Sequence, residues 1–164
     1  MSKSAAMIGT VSVSVIQQLV DDLARRLQRS VAVDDPNVKL LYISRHYGDD
    51  DEARRRALLQ RGAGARTIGY VLSQGVATWT RAGIIPANEE LGLSTRVCVP
   101  VRWRGTLLGL LLVVDREGTL TTGELALLTD AAEELATLML SEHPPDVDKA
   151  VQEVSDALDD LVGP

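Results

Sequence analysis

From Ile8 to Leu27 apolar residues return every three or four positions, at Ile8, Val11, Val15, Leu19, Leu23 and Leu27, with Gln17, Gln18, Asp21, Asp22, Arg25 and Arg26 between them. That spacing is helical and puts the polar residues on the opposite face, so it predicts an amphipathic helix ending near Arg29. The pattern then shortens. Ser30 to Asp34 reads as a strand, Asp34-Asp35-Pro36-Asn37 as a turn, and Lys39 to Ser44 as the strand that pairs back. In GDDDEARRRALLQRGA the acids precede the arginines, the order a helix dipole favours, and Gly62 and Gly64 stop the helix. Residues 66–75, RTIGYVLSQG, predict a further short helix closed by Gly75. No sustained period runs from Val76 to Leu93, which reads as a long connection carrying one short strand over Gly83 to Ile85.

The tract RVCVPVRWRGTLLGLLLVVD, residues 96–115, predicts a hairpin turning at Arg104-Gly105. Strand alternation puts Val97, Val99, Val101 and Trp103 on one face and Arg96, Cys98, Pro100, Arg102 and Arg104 on the other. Its second strand is apolar on both faces from Leu107 to Val114, which predicts a central strand covered on both sides. After a turn at Asp115 to Gly118, Thr121 or Thr122 caps a helix running to about Glu142, with Leu125, Leu128, Ala131, Ala132, Leu135, Leu138 and Met139 inward. Pro144-Pro145 break it. Val147, Val151, Val154, Leu158 and Leu161 are then spaced 4, 3, 4, 3, the rhythm of a helix that pairs with another helix. The order helix, hairpin, helices, connection, hairpin, helix predicts the α+β class, an antiparallel sheet of five or six strands flanked by helices.

Composition narrows the function classes. At 164 residues, with 45% hydrophobic and 24% charged residues interspersed, the chain is globular and long enough for one substantial core. Phe is absent, so that core is built from Leu, Val, Ile and Ala. A net charge of −6 argues against direct nucleic-acid contact by this chain. No apolar run reaches the length of a membrane span, the N-terminus makes a poor signal peptide, and the single cysteine, Cys98, cannot form an internal disulfide. These features together predict a cytoplasmic protein without membrane contact.

The runs VAVDDPNVKLLYISRHYGDDDEARRRALLQRGA and IPANEELGLSTRVCVPVRWRGTLLGLLLVVDREGTLTTGELALLTDAAEELA resemble the N-terminal GAF-like sensor domain of PucR/CdaR-type bacterial transcriptional regulators. The tract VCVPVRWRGTLLGLLLVVD resembles the general GAF pattern, whereas the VDDP turn and the pairing of NEELGL with RVCVPV resemble the regulator family more particularly. The resemblance spans roughly residues 15 to 142. It implies a regulatory domain over residues 30–143, an N-terminal helix over 1–29 and a connector helix over 144–164. It also implies a small-molecule effector, no catalytic activity, and a homodimer bundled through the terminal helices. Val13, Ile16, Val20, Val147, Val151, Val154, Leu158 and Leu161 are its candidate interface residues. The family's helix-turn-helix has no counterpart up to Pro164, which leaves two expectations, a fragment of a longer regulator or a chain whose DNA-binding part has been lost; any DNA contact would need another domain. The competing expectation is a structural dimerisation or protein-interaction module with no ligand.

Four residues are candidates for contact with an effector. Arg96 and Cys98 share the sheet face that floors the pocket in GAF domains, where Arg96 could offer a cation to an acidic metabolite. Their bland alternatives are a surface ion pair and an ordinary buried thiol. Ser44 and His46 leave a strand just before a helix start, a place that favours anions. Asp49, Asp50 and Asp51 occupy that helix start, however, and read as a cap and solvated loop. Arg54-Arg55-Arg56 read as a solvated helix face. Cys98 lacks the neighbouring histidine of tetrapyrrole-carrying GAF domains, and the only histidines, His46 and His143, sit in no catalytic or metal-binding motif. No cofactor and no metal are therefore expected.

Overall fold

A computed structural model describes residues 15–60 and 63–142. Its elements are α1 (Val15–Leu27), β1 (Val31–Asp34), β2 (Leu40–Ile43), α2 (Glu52–Gln60), α3 (Ala65–Ser73), β3 (Gly83–Ile85), β4 (Arg96–Trp103), β5 (Thr106–Val114) and α4 (Thr122–Glu142). Short 3₁₀ turns at Val76–Thr78 and Glu89–Leu91 flank β3. The five strands form one antiparallel sheet in the order β2-β1-β5-β4-β3. The doubly apolar strand is β5, and it is central as its pattern predicts.

Strand alternation divides the interior into two apolar layers. Val31, Val33, Val97, Val99, Val101, Leu111 and Val113 face α1 and α4, and the residues between them, including Ala32, Cys98, Leu110 and Leu112, face α2 and α3. On the first side α4 packs along β4 and against α1. Its start is a reciprocal cap: the Glu124 N–H donates to Thr121 Oγ1 at 3.1 Å and the Thr121 N–H donates to Glu124 Oε1 at 2.9 Å. Gly109 of β5 lies under α4, where a Cβ would stand 2.8 Å from the Asp34 carbonyl oxygen and 3.2 Å from Met139 Cε.

The first helix is rotated relative to its sequence reading. Ile16 and Val20 are fully buried, and with Leu23, Ala24 and Leu27 they form the core stripe. Ile16, Val20, Leu23 and Leu27 follow a 4, 3, 4 spacing, the inward seam of a helix packed on its own domain. Val15 is instead exposed and Leu19 only partly buried. Ile16 and Val20, expected at the dimer interface, have their side chains wholly buried within the chain. Val13, Val147, Val151, Val154, Leu158 and Leu161 lie outside the described residues.

Candidate functional site

Apart from Asp115, which pairs with Arg29 at 3.1 Å, the buried charge gathers in and beside the second layer, between the sheet and α2 with α3. Asp51, three residues before Arg54, caps α2 by accepting the Arg54 N–H at 2.8 Å, and its other oxygen accepts the Ser94 N–H at 2.8 Å. That oxygen also takes the Arg96 guanidinium, in an ion pair whose two residues are both buried. Burial alone would raise the Asp51 carboxyl, but Arg96 and the two N–H groups outweigh it and hold the carboxyl below its usual range. Asp49 behaves similarly. It accepts the Ser30 N–H at 2.8 Å and the Ser30 hydroxyl, and these bonds overcome partial burial to lower its pKa. The acidic run caps α2 through Asp51, as expected, but is not merely a solvated loop: Asp49 and Asp51 also tie the start of α2 to Ser30, just before β1, and to the segment before β4.

Arg54 corrects a second expectation. Of the three consecutive arginines, Arg55 and Arg56 point to solvent, whereas Arg54 is buried with only 4% of its surface exposed. Among the described residues, neither its Nη1 nor its Nη2 has a hydrogen-bond partner. Burial, and next the nearby Arg96 charge, push it down to about 10, against the pull of Asp51, Asp34 and Asp49. A buried polar group without a partner is uncommon in folded proteins and is a pointer to function.

Arg54 lines a cavity of about 50 Å³. Ala32, Asp34, Arg96 and Leu112 floor it from the sheet; Ala57 of α2 and Val71 of α3 roof it. Val38, from the β1–β2 turn, closes one side while held at φ +65°, a left-handed conformation that a β-branched side chain strongly resists. Such strain concentrates at ligand sites. Asp34 is buried too, and burial pushes its carboxyl up to about 6 in spite of the lowering influence of Arg54 and Arg96. The groove of about 470 Å³ between α1 and α4 is larger, and its lining includes the exposed Asp22, Arg26, Asp130 and Glu134 beside the partly buried Leu19 and Leu138.

The candidate residues are distributed unevenly around this cavity. Arg96 lines it. Cys98 lies in the same apolar layer but does not reach the cavity wall, and burial, aided by the Asp34 charge, pushes its thiol up to about 12. Ser44 is buried as a strand lock: its Oγ accepts the Val31 N–H at 2.9 Å and donates to the Arg45 carbonyl at 2.9 Å. His46 is exposed on the following loop. The sequence reading missed Arg54 and Asp34, although both carried a signal. Ala53 and Ala57 mark the packed side of α2, next to position 54, and alternation along β1 places Asp34 on the face of Ala32.

Among the described residues no group of side chains could hold a metal ion, and no helix is long and apolar enough to cross a membrane. In comparisons with solved structures, the chain is similar to the cofactor-binding GAF domain of the nutrient sensor CodY from Clostridium difficile, at 16% identity over 82% of this chain and 94% of that one, TM-score 0.53. It is also similar to a type II free methionine-R-sulfoxide reductase from Thermoplasma acidophilum, at 15% identity over 80% and 94%, TM-score 0.53. A GAF domain/HD domain protein from Geobacter sulfurreducens matches at 14% identity over 79% and 95%, TM-score 0.55. At these identities the likeness concerns the fold. No curated protein matches the chain. The family model for the GAF domain matches residues 15–139, from the start of α1 into α4, and the chain belongs to the GAF domain family.

Proposed function

We propose that this GAF domain is the sensory module of a cytoplasmic transcriptional regulator, taking a small effector between the sheet and helices α2 and α3 and acting as a homodimer without catalysis. The observation that carries the reading is the convergence of Arg54, Arg96 and Asp34, all buried, on one cavity in the layer opposite α1 and α4. The CodY domain, described as cofactor-binding in a nutrient sensor, supports a sensing role for this fold. The tract resembling PucR/CdaR-type regulators supports transcription as the output. The high pKa and burial of Cys98 speak against thiol chemistry, which requires an accessible thiolate.

At about 50 Å³ the cavity is far below the roughly 300–1,000 Å³ of drug-sized ligand pockets. A larger effector must displace α2, α3 or the Val38 turn. That movement would be the signal, biasing a two-state dimer. A metabolite-library thermal-shift screen, run on the wild type and on Ala57→Trp, tests the reading. Ala57→Trp fills the cavity from its α2 side. Compounds that stabilise the wild type and not the variant are expected. Compounds that stabilise both equally, or a library with no stabiliser, would contradict it. Native mass spectrometry of the same samples should report a dimer.

A further inference from the structure

We infer that the cavity selects a small monocarboxylate, its carboxylate held by Nη1 and Nη2 of Arg54 and its short apolar tail lying against Val38, Val71 and Leu112. This rests on reading the cavity as the ligand site and names the chemistry that the site would take.

Charge distribution on the walls sets the class. Two cations reach the cavity, but the Arg96 guanidinium is engaged by Asp51, whereas both Nη groups of Arg54 are buried with no hydrogen-bond partner among the described residues. A planar guanidinium with two parallel donors matches the two oxygens of a carboxylate. Arg54 and Arg96 also repel one another, so an anion at Arg54 relieves a conflict already built into the fold. Asp34, on the same wall, opposes a second negative charge and so disfavours phosphate dianions and dicarboxylates. The rest of the lining is apolar apart from Thr67, which suits a tail of a few carbon atoms and offers a highly hydroxylated ligand a single hydroxyl partner.

Titration with acetate, propionate, butyrate and benzoate, each paired with its amide, tests the inference at constant ionic strength by calorimetry and thermal shift. Inorganic phosphate serves as the dianion probe. At least one acid is expected to bind and its amide not to. Arg54→Met should weaken that acid by about 10- to 100-fold, the scale of lost charge-assisted hydrogen bonds. Asp34→Asn should bind it more tightly, a gain of function that a folding defect cannot imitate. Equal binding of acids and amides, a preference for phosphate, or no response to any acid would overturn the monocarboxylate while leaving the cavity open as a site for other compounds. An acid that binds wild type and Ala57→Trp alike would overturn the ligand site itself.

Discussion

Replacing Asp34 by Asn should stabilise the fold at neutral pH, and the gain should disappear in acid. Asp34 is buried in the second apolar layer, facing Arg54 of α2, Arg96 and Cys98 of β4, with Asp35 beside it on its own strand end. Burial outweighs the two arginines and raises the carboxyl from 3.8 to about 6. Below the unfolded value the group is protonated in both states and contributes no penalty. As pH rises between the two values the unfolded chain ionises first, so stability falls. Above about 6 both states are ionised and the folded state carries a fixed deficit of about 3 kcal/mol, at roughly 1.4 kcal/mol per pKa unit. Asn resembles the protonated form but brings an amide N–H₂ toward two guanidinium groups, which reduces the net gain to about 1–3 kcal/mol. Urea denaturation of both proteins from pH 4 to pH 8 checks it. Asp49 and Asp51, whose lowered pKa values make stability fall with acid, cancel in the difference between the proteins. A variant less stable than wild type at pH 7.5, or a difference independent of pH, would refute the reasoning.

Removing one partner of the Arg96–Asp51 pair should be severe: Arg96→Met is expected to lose about 3–5 kcal/mol in urea melts, because Asp51 is left charged and buried. Gly109→Ala should lose about 1–3 kcal/mol by the same assay, since the added methyl meets a backbone carbonyl that cannot swing aside. Cys98 should resist iodoacetamide in the native protein at pH 8 and react promptly once denatured; equal rates would show that the thiol is reachable.

Much of the architecture was readable from periodicity. The doubly apolar run Leu107–Val114 is central strand β5, the isolated Gly83–Ile85 segment is strand β3, and Thr121 caps α4. Periodicity failed where two apolar stripes overlap on one helix. In α1 both Val15-Leu19-Leu23 and Ile16-Val20-Leu23 satisfy helical spacing, and only packing against β1 and α4 selects the second. The site was less legible because its charges look like surface. In the run of three arginines, directions differ by roughly 100° per helical residue, so the inward member is hidden by its outward neighbours; in the three aspartates, which precede the helix, the turn into α2 decides which carboxylate points inward. Arg54 and Asp51 are those members. Arg96 was visible because a charge on an otherwise buried strand face demands a partner, although the sequence could not say that the partner was Asp51.

The central claim is that effectors enter between the sheet and α2 with α3. Its most direct test is amide chemical-shift mapping by NMR, with the best-binding acid added to the wild-type protein. Changes are expected to concentrate at Ala32, Val38, Arg54, Ala57, Val71 and Leu112, with the Arg54 side-chain resonances among the largest. Changes confined to the α1–α4 groove, or to the exposed loop around His46, would contradict it.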